Sequence, residues 1–211
     1  MGTPRTALAR TMIQVDIHAK HFGQQQVLGR VHFTISPGET VALLGPSGIG
    51  KSTILRIVSG IDRDYQGQVT RPDAMAMVFQ EPTLLPWRSA LDNLLLTQPD
   101  LQRADALSAL SRVGLNGKQD AFPGQLSLGQ QRRLALARAF AGRPEFLIMD
   151  EPFVSLDPDM AEQMLTLTET LITEARPATL FVTHARSEAE RLADRILTLD
   201  GCPATLQEDQ I

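Results

Sequence analysis

Cysteine is almost missing from this 211-residue chain: Cys202 is the only one. A single thiol excludes an intramolecular disulfide and a cysteine-rich metal site, and it fits a reducing compartment. Long apolar runs are also missing. None approaches the roughly 20 residues that span a bilayer, so action at a membrane would need an anchor supplied by something else. Basic excess is absent too: 20 Lys and Arg against 24 Asp and Glu give a net charge of −4, which argues against a broad nucleic-acid surface. The segment from Met1 to Arg10 lacks the apolar stretch of a signal peptide and is expected to be a short flexible lead-in. Three histidines, His18, His21 and His32, fit no metal-ligand spacing. There is no internal repeat and no low-complexity tract. With 43% hydrophobic and 21% charged residues, the chain has the composition of one globular domain with a real core.

The most specific feature present is Gly45-Pro46-Ser47-Gly48-Ile49-Gly50-Lys51-Ser52, a match to G-x-x-x-x-G-K-[ST] at every fixed position. Thr40 to Leu44 before it reads as a buried strand, and Thr53 to Val58 after it as a helix ending near Ser59-Gly60. Strand, glycine loop and helix form the context this phosphate-binding motif needs. Glycines let successive N–H groups turn onto a phosphate chain, and the helix N-terminus adds partial positive charge. Lys51 is expected to reach the outer phosphates and the Ser52 hydroxyl to bind Mg²⁺. The chain is therefore expected to bind a nucleoside triphosphate.

The remaining sequence predicts an α/β fold: a P-loop core with a mixed, mainly parallel sheet, a small antiparallel β layer and an inserted helical subdomain. Alternating stretches at Met12–Ile17 and Val27–Ile35, with Gly67–Thr70, supply the antiparallel layer. Ala74–Phe79, Phe146–Met149, Thr179–Thr183 and Ile196–Leu199 read as strands; the first three are continuously apolar, as strands covered on both faces are. Between Pro82 and Pro144 the period is helical, with segments at Ala90–Leu96, Ala104–Val113 and Gln130–Ala141. Pro158–Ala175 reads as a long helix with Asp157 as N-cap and proline at its first position. Ser187 with Glu190 reads as a capping box for a further helix. The organisation expected is residues 1–10 flexible, 11–81 and 145–200 the catalytic core with its β layer, 82–144 the helical subdomain, and 201–211 a C-terminal tail.

Other positions carry chemistry only in combination. Phe146 to Met149 ends in Asp150-Glu151, at the strand end where α/β sheets bind ligands. Asp150 suits the Mg²⁺ shell through water, and Glu151 suits a base that polarises an attacking water; taken alone, the pair equally fits two solvated acids. Leu126-Ser127-Leu128-Gly129-Gln130 opens a helix, and by itself Ser127 is an ordinary cap. Gln80 and His184 follow strands on the same sheet edge and, alone, read as structural polar groups. Phe22, ahead of Gly23, fits a purine-stacking ring as well as a core aromatic.

In their order along the chain, these elements resemble the nucleotide-binding subunit of ABC transporters, from about Met12 to Leu199. The resemblance implies ATP and Mg²⁺ as ligands and ATP hydrolysis as the reaction. It implies Phe22 as the adenine platform, Gly45 to Ser52 plus Thr53 as the Walker A loop, and Gln80 as the Q-loop glutamine. Asp150 becomes the Walker B aspartate, Glu151 the catalytic glutamate, Ser155-Leu156-Asp157 the D-loop and His184 the switch histidine; Ser52, Gln80 and Asp150 surround the metal. The family signature reads Leu-Ser-Gly-Gly-Gln, and Leu128 stands here in place of its third residue. Its Cβ alters the approach of the loop, while Ser127, Gly129 and Gln130 keep the contacts. The family pairs two copies head to tail, each ATP held between the Walker A loop of one and the signature of the other. The resemblance also implies membrane permease subunits docked near Glu81 to Trp87, where Leu84-Leu85-Pro86-Trp87 fits either a partner site or a loop packed on the helices. It places the chain on the cytoplasmic face of the inner membrane, held there by the permease, with no nucleic-acid partner.

The wording from Phe79 to Arg88 resembles the ATPases of bacterial importers for nitrate, sulfonates and taurine, which implies an extracytoplasmic substrate-binding protein in the complex. Alternatives are an exporter or lipid-transport ATPase, a non-transport ABC ATPase acting on DNA or ribosomes, and a P-loop phosphotransferase. The coiled-coil insertion or tandem cassettes expected of the second are missing, and the last has no need of Ser127, Gly129 and His184 in this order.

Overall fold

The computed structural model describes residues 11–209; the expectation for residues 1–10 lies outside them. The alternation that begins at Met12 becomes strand β1 (Ile13–Phe22), in which Ile13, Val15 and Ile17 are buried while Gln14 and His18 face out. Two strands follow, β2 (Gln25–Leu28) and β3 (Val31–Ile35). The sequence predicts one strand from Val27 to Ile35, but the ladder breaks at Gly29 and Arg30. There the Gly29 N–H donates to the Ala204 carbonyl at 2.8 Å, and the Ala204 N–H donates to the Val27 carbonyl at 3.0 Å. A returning segment has taken the hydrogen bonds a continuous strand would use.

Strand β4 (Thr40–Leu44) leads through the glycine loop into helix α1 (Lys51–Val58). Strands β5 (Gln66–Thr70) and β6 (Met75–Val78) precede the helical block α2 (Ala90–Leu95), α3 (Arg103–Arg112) and α4 (Leu128–Ala141). Then come β7 (Phe146–Asp150), α5 (Pro158–Ala175), β8 (Ala178–Val182), α6 (Arg186–Leu192), β9 (Arg195–Asp200) and β10 (Thr205–Asp209). Helix α5 begins where Asp157 predicts it, the carboxylate accepting the Met160 N–H at 3.0 Å. Helix α6 does not use Ser187. It starts two residues earlier than that cap would set, with Ala185 at its cap, because the Thr183 hydroxyl accepts the Ala185 N–H and donates to Glu188.

Strand β1 is the centre of an antiparallel layer, pairing with β2, β3 and β5. A six-stranded sheet runs β10-β9-β4-β8-β7-β6, parallel throughout except for β10. The segment after Asp200 is therefore not a free tail: it turns at Gly201, where φ is 89°, and adds an edge strand. Burial explains the composition, since all five residues of β4 and of β8 are inaccessible. One apolar core lies between the two sheets and takes in Ile54, Leu55 and Val58 of α1. A second joins Ala42, Leu147, Met149 and Phe181 of the parallel sheet to α2, α3, α4 and α5. Register decides what meets at the sheet edge: Leu43 and Asp150 both pair with Val182, and Val78 pairs with Met149. The residues that leave β4, β6, β7 and β8 thus emerge side by side, at the carboxyl edge.

Candidate functional site

The glycine loop is shaped by residues that tolerate no side chain. Gly45 has φ 154°, and a Cβ there would lie 2.7 Å from the Leu199 carbonyl oxygen of the neighbouring strand. Gly50 has φ 117°, and its Cβ would fall 2.7 Å from Leu28 Cδ2. These backbones lie in a region that glycine alone enters at little cost. Lys51 follows at the first position of α1 and is buried, 5% exposed. Its ammonium donates to the Gly45 and Pro46 carbonyls at 2.7 and 3.1 Å, so the cation sits across the loop that holds it. Phe22, Val27, Ser47, Gly48, Gly50, Lys51, Ser52, Thr53 and Glu151 line a cleft of about 350 Å³. A cavity of similar volume beside Gln98 and Gly142 has neither glycine loop nor lysine, so chemistry rather than size distinguishes the first.

Phe22 reaches this cleft from the end of β1 and is half exposed. Lys20 lies over the ring, with its ammonium 4.8 Å from the centroid. That lysine is itself buried and paired with Asp62 at 2.9 Å. Burial disfavours its charge, but hydrogen bonds and charges from Asp62 and Asp64 outweigh that and raise its pKa.

Asp150 ends β7, and burial, followed by the neighbouring charge of Glu151, pushes its pKa above the ordinary aspartate value. Lys51, Arg56 and a hydrogen bond with Ser52 oppose that shift. Glu151 has φ 44°, a left-handed conformation unusual for a residue with a side chain. Its N–H is fixed on the Val182 carbonyl at 2.9 Å. One carboxylate oxygen lies 3.8 Å from Lys51 Nζ and the other 3.5 Å from His184 Nδ1. The structure thus brings Phe22, the glycine loop, Lys51, Ser52, Asp150, Glu151 and His184 into one neighbourhood.

It does not bring Gln80 or the Ser127 turn there. Gln80 is exposed, two residues beyond β6, and is absent from the cleft lining. Ser127 caps α4 in a reciprocal box: its hydroxyl accepts the Gln130 N–H at 3.3 Å, and the Gln130 side chain accepts the Ser127 N–H at 3.0 Å. Leu128 is half exposed. At Gly129 a Cβ would stand 2.6 Å from Met160 Cε, so that flexible side chain would have to move aside. None of Ser127 to Gln130 lines the cleft. Ser155 is left-handed, with φ 59°, while Asp157 caps α5.

Three supporting side chains are missed by sequence reasoning. Asn93, fully buried, accepts the Leu85 N–H at 2.8 Å and donates to the carbonyls of Leu85, Arg88 and Ser89. It holds the loop on which Trp87 stands 67% exposed, while Leu84 packs against the helical core. Arg138 donates to the Pro82 and Thr83 carbonyls, and Arg132 to those of Pro152 and Val154. Their only advance signal is their place on α4, where an arginine ordinarily reads as part of a solvated face.

Comparison with known proteins agrees with this geometry. A family model described as ABC transporter matches residues 28–154. An aliphatic sulfonates import ATP-binding protein of Nocardia farcinica is 46% identical over 86% of this chain and 75% of its own length. One from Streptomyces avermitilis is 42% identical over 95% of this chain and 81% of its own. Among solved structures, a dimeric ATP-binding cassette in a post-hydrolysis state bound to ADP and phosphate superposes with a TM-score of 0.79. It is 28% identical, over 95% of this chain and 98% of that one.

Proposed function

The chain belongs to the ABC transporter family, and we propose that it is the ATPase subunit that energises a bacterial importer of aliphatic sulfonates or closely related small anions. As a family member it binds ATP and hydrolyses it to ADP and phosphate. The observation that carries the importer reading is the 42–46% identity to aliphatic sulfonates import ATP-binding proteins over most of both chains.

In this reading the adenine stacks on Phe22 and the triphosphate lies along Gly45 to Thr53. Lys51 exchanges the Gly45 and Pro46 carbonyls for phosphate oxygens, a swing available to a long side chain with three rotatable donors. Ser52 and Asp150 suit Mg²⁺: they are hard oxygen donors already hydrogen-bonded to each other, and the carboxylate is buried beside a second acid. No cluster of three His, Cys, Asp or Glu able to hold a metal occurs among the described residues, which suits an ion that takes most of its ligands from phosphates and water. Gln80 would complete that shell. When bound, Mg²⁺ neutralises charge on the β- and γ-phosphates. Glu151 polarises the attacking water, and His184, 3.5 Å from its carboxylate, steadies the γ-phosphate.

The Ser127 turn, outside its own chain's cleft, serves the ATP of a second copy, with the D-loop residues Ser155, Leu156 and Asp157 at the same junction. The dimeric ATP-binding cassette of the same fold supports that arrangement. Among the described residues no helix is long and apolar enough to cross a membrane. Permease subunits are therefore the proposed anchor, docked near Glu81 to Trp87 on the cytoplasmic face, with an extracytoplasmic binding protein delivering the anion. Deleting the gene in its own host tests this. Uptake of a labelled short alkanesulfonate should stop and return with the wild-type gene but not with K51A; unaffected uptake would reject the sulfonate assignment.

A further inference from the structure

Arg132 lies in the second turn of α4 and is 8% exposed. Its Nη1 donates to the Pro152 carbonyl at 2.8 Å and its Nη2 to the Val154 carbonyl at 2.9 Å, while Nε has no partner. Burial disfavours the guanidinium charge and pushes its pKa down. Among the described residues no carboxylate pairs with it; both partners are backbone oxygens of one short loop. Burying a charge against carbonyls is a poor way to gain stability, and an apolar side chain of the same volume does as well or better. The arrangement is better explained by what it holds in place.

What it holds is a strained stretch. Glu151 and Ser155, at φ 44° and 59°, bracket Pro152 to Val154, both in the left-handed region that residues with a side chain enter only under constraint. Such backbone persists only where its surroundings over-determine it. Glu151 is fixed toward the sheet by its bond to Val182, and Phe153 packs edge-on against Phe181 at 5.9 Å. On the helix side, Arg132 spans the two carbonyls that flank Phe153. A planar guanidinium makes two such bonds from one rigid fork, which lysine cannot. The helix that carries it begins at Ser127, five residues before Arg132.

We propose that Arg132 is a positioning residue for hydrolysis: by clamping the Pro152 and Val154 carbonyls it fixes the Glu151 carboxylate between Lys51 and His184, and ties that carboxylate to the helix whose first turn meets the second copy's ATP. The proposal rests on Glu151 as the group that polarises water. A misplaced polarising group costs rate while leaving the phosphate cradle intact, and displacement by about 1 Å can cost about 100-fold.

The test compares full-length wild type, R132M, R132K, R132A and E151Q in phosphate release, ATP affinity and thermal melting. R132M should lose about 10–100-fold in kcat, with KM and ATP affinity within about twofold. Millimolar guanidinium should restore part of the R132A rate and none of the E151Q rate. A kcat for R132M within twofold of wild type overturns the proposal. So does a fall in kcat and ATP affinity together, in step with the folded fraction and without guanidinium rescue, because that describes a merely structural arginine. If R132M does not fold, R132K decides: its ammonium is a point donor without the planar fork that fixes the two carbonyls at a set spacing, so lower kcat at unchanged KM supports the clamp and wild-type kcat removes it. Normal turnover by E151Q would reject the Glu151 reading instead, a result separable from any behaviour of Arg132.

Discussion

Replacing Glu151 with glutamine changes one atom at the point on which the hydrolytic reading depends. The amide has the same shape and can keep the contacts now made at 3.8 Å to Lys51 and 3.5 Å to His184, but it cannot accept a proton from water. General-base help contributes about 100–10,000-fold. At about 1.4 kcal/mol for each tenfold step, that is about 3–6 kcal/mol of lost barrier reduction. ATP affinity should move the other way. Glu151 places a negative charge in the cleft assigned to a polyanion, and its charge helps raise the Asp150 pKa. Without it Asp150 ionises more readily, and the uncharged amide competes with phosphate for Lys51 more weakly than the carboxylate does. Expected, then, are a kcat lower by at least 100-fold, ATP affinity equal to or tighter than wild type, and ATP-dependent dimers that persist in sedimentation because they no longer hydrolyse their ligand. Turnover within fivefold of wild type, or ATP binding lost in parallel with turnover, would refute the assignment.

Asp150→Asn should raise Tm at neutral pH while abolishing Mg²⁺-dependent turnover. The folded pKa of Asp150 lies above its ordinary 3.8, so the stability given by its protonated form is complete below 3.8 and lost as pH rises through the folded value. The gain in Tm must shrink on acidification toward 3.8, and an equal or lower Tm across that range would refute the sign. Gly50→Ala forces a side chain into φ 117° against Leu28; about 1–3 kcal/mol of strain lowers Tm by about 2–12 °C and removes ATP binding, so an unchanged melt would contradict the loop geometry. Ser127→Arg deletes the α4 cap, worth about 0.5–2 kcal/mol. The monomer should still bind ATP, and in an E151Q background it should form no ATP-induced dimers; normal dimers would refute the role of the Ser127 turn in a second copy's site.

What was legible in the sequence was local. The glycine loop, the Asp157 cap and the ends of β4, β7 and β8 depend on residues a few positions apart, where backbone preference and hydrophobic period act directly. The break in the predicted Val27–Ile35 strand was not legible, because its cause is Ala204, nearly the whole chain away. For the same reason residues 205–209 looked like a tail: an edge strand is made by the β9 backbone it pairs with, which no pattern in the segment announces. Arg132 and Arg138 hide more deeply. On a helix each reads as a charge for solvent, yet their partners lie 20 and 55 residues distant. Periodicity reports which face is apolar and says nothing about which carbonyls a buried guanidinium will find.

The supporting network also bears on how ATP energy becomes motion. Groups that the ATP reading recruits already have partners inside the chain: Lys51 has the Gly45 and Pro46 carbonyls, Ser52 has Asp150, and the Ser127 hydroxyl has the Gln130 N–H. Binding therefore exchanges hydrogen bonds rather than satisfying orphans, and an exchange of that kind nets only about 0.5–1.5 kcal/mol each. Under the proposed dimer, the larger gain comes from charge neutralisation and from closure of a second copy's Ser127 turn over the phosphates. That turn is rigidly continuous with Arg132 and Arg138, which hold the loops after β7 and β6. In the proposed dimer, closure bears on α4 and reaches the Pro152 and Val154 carbonyls through Arg132 and the Pro82 and Thr83 carbonyls through Arg138. In that reading a ligand that bound without pairing two copies would leave α4 unloaded, and the loops would shift little.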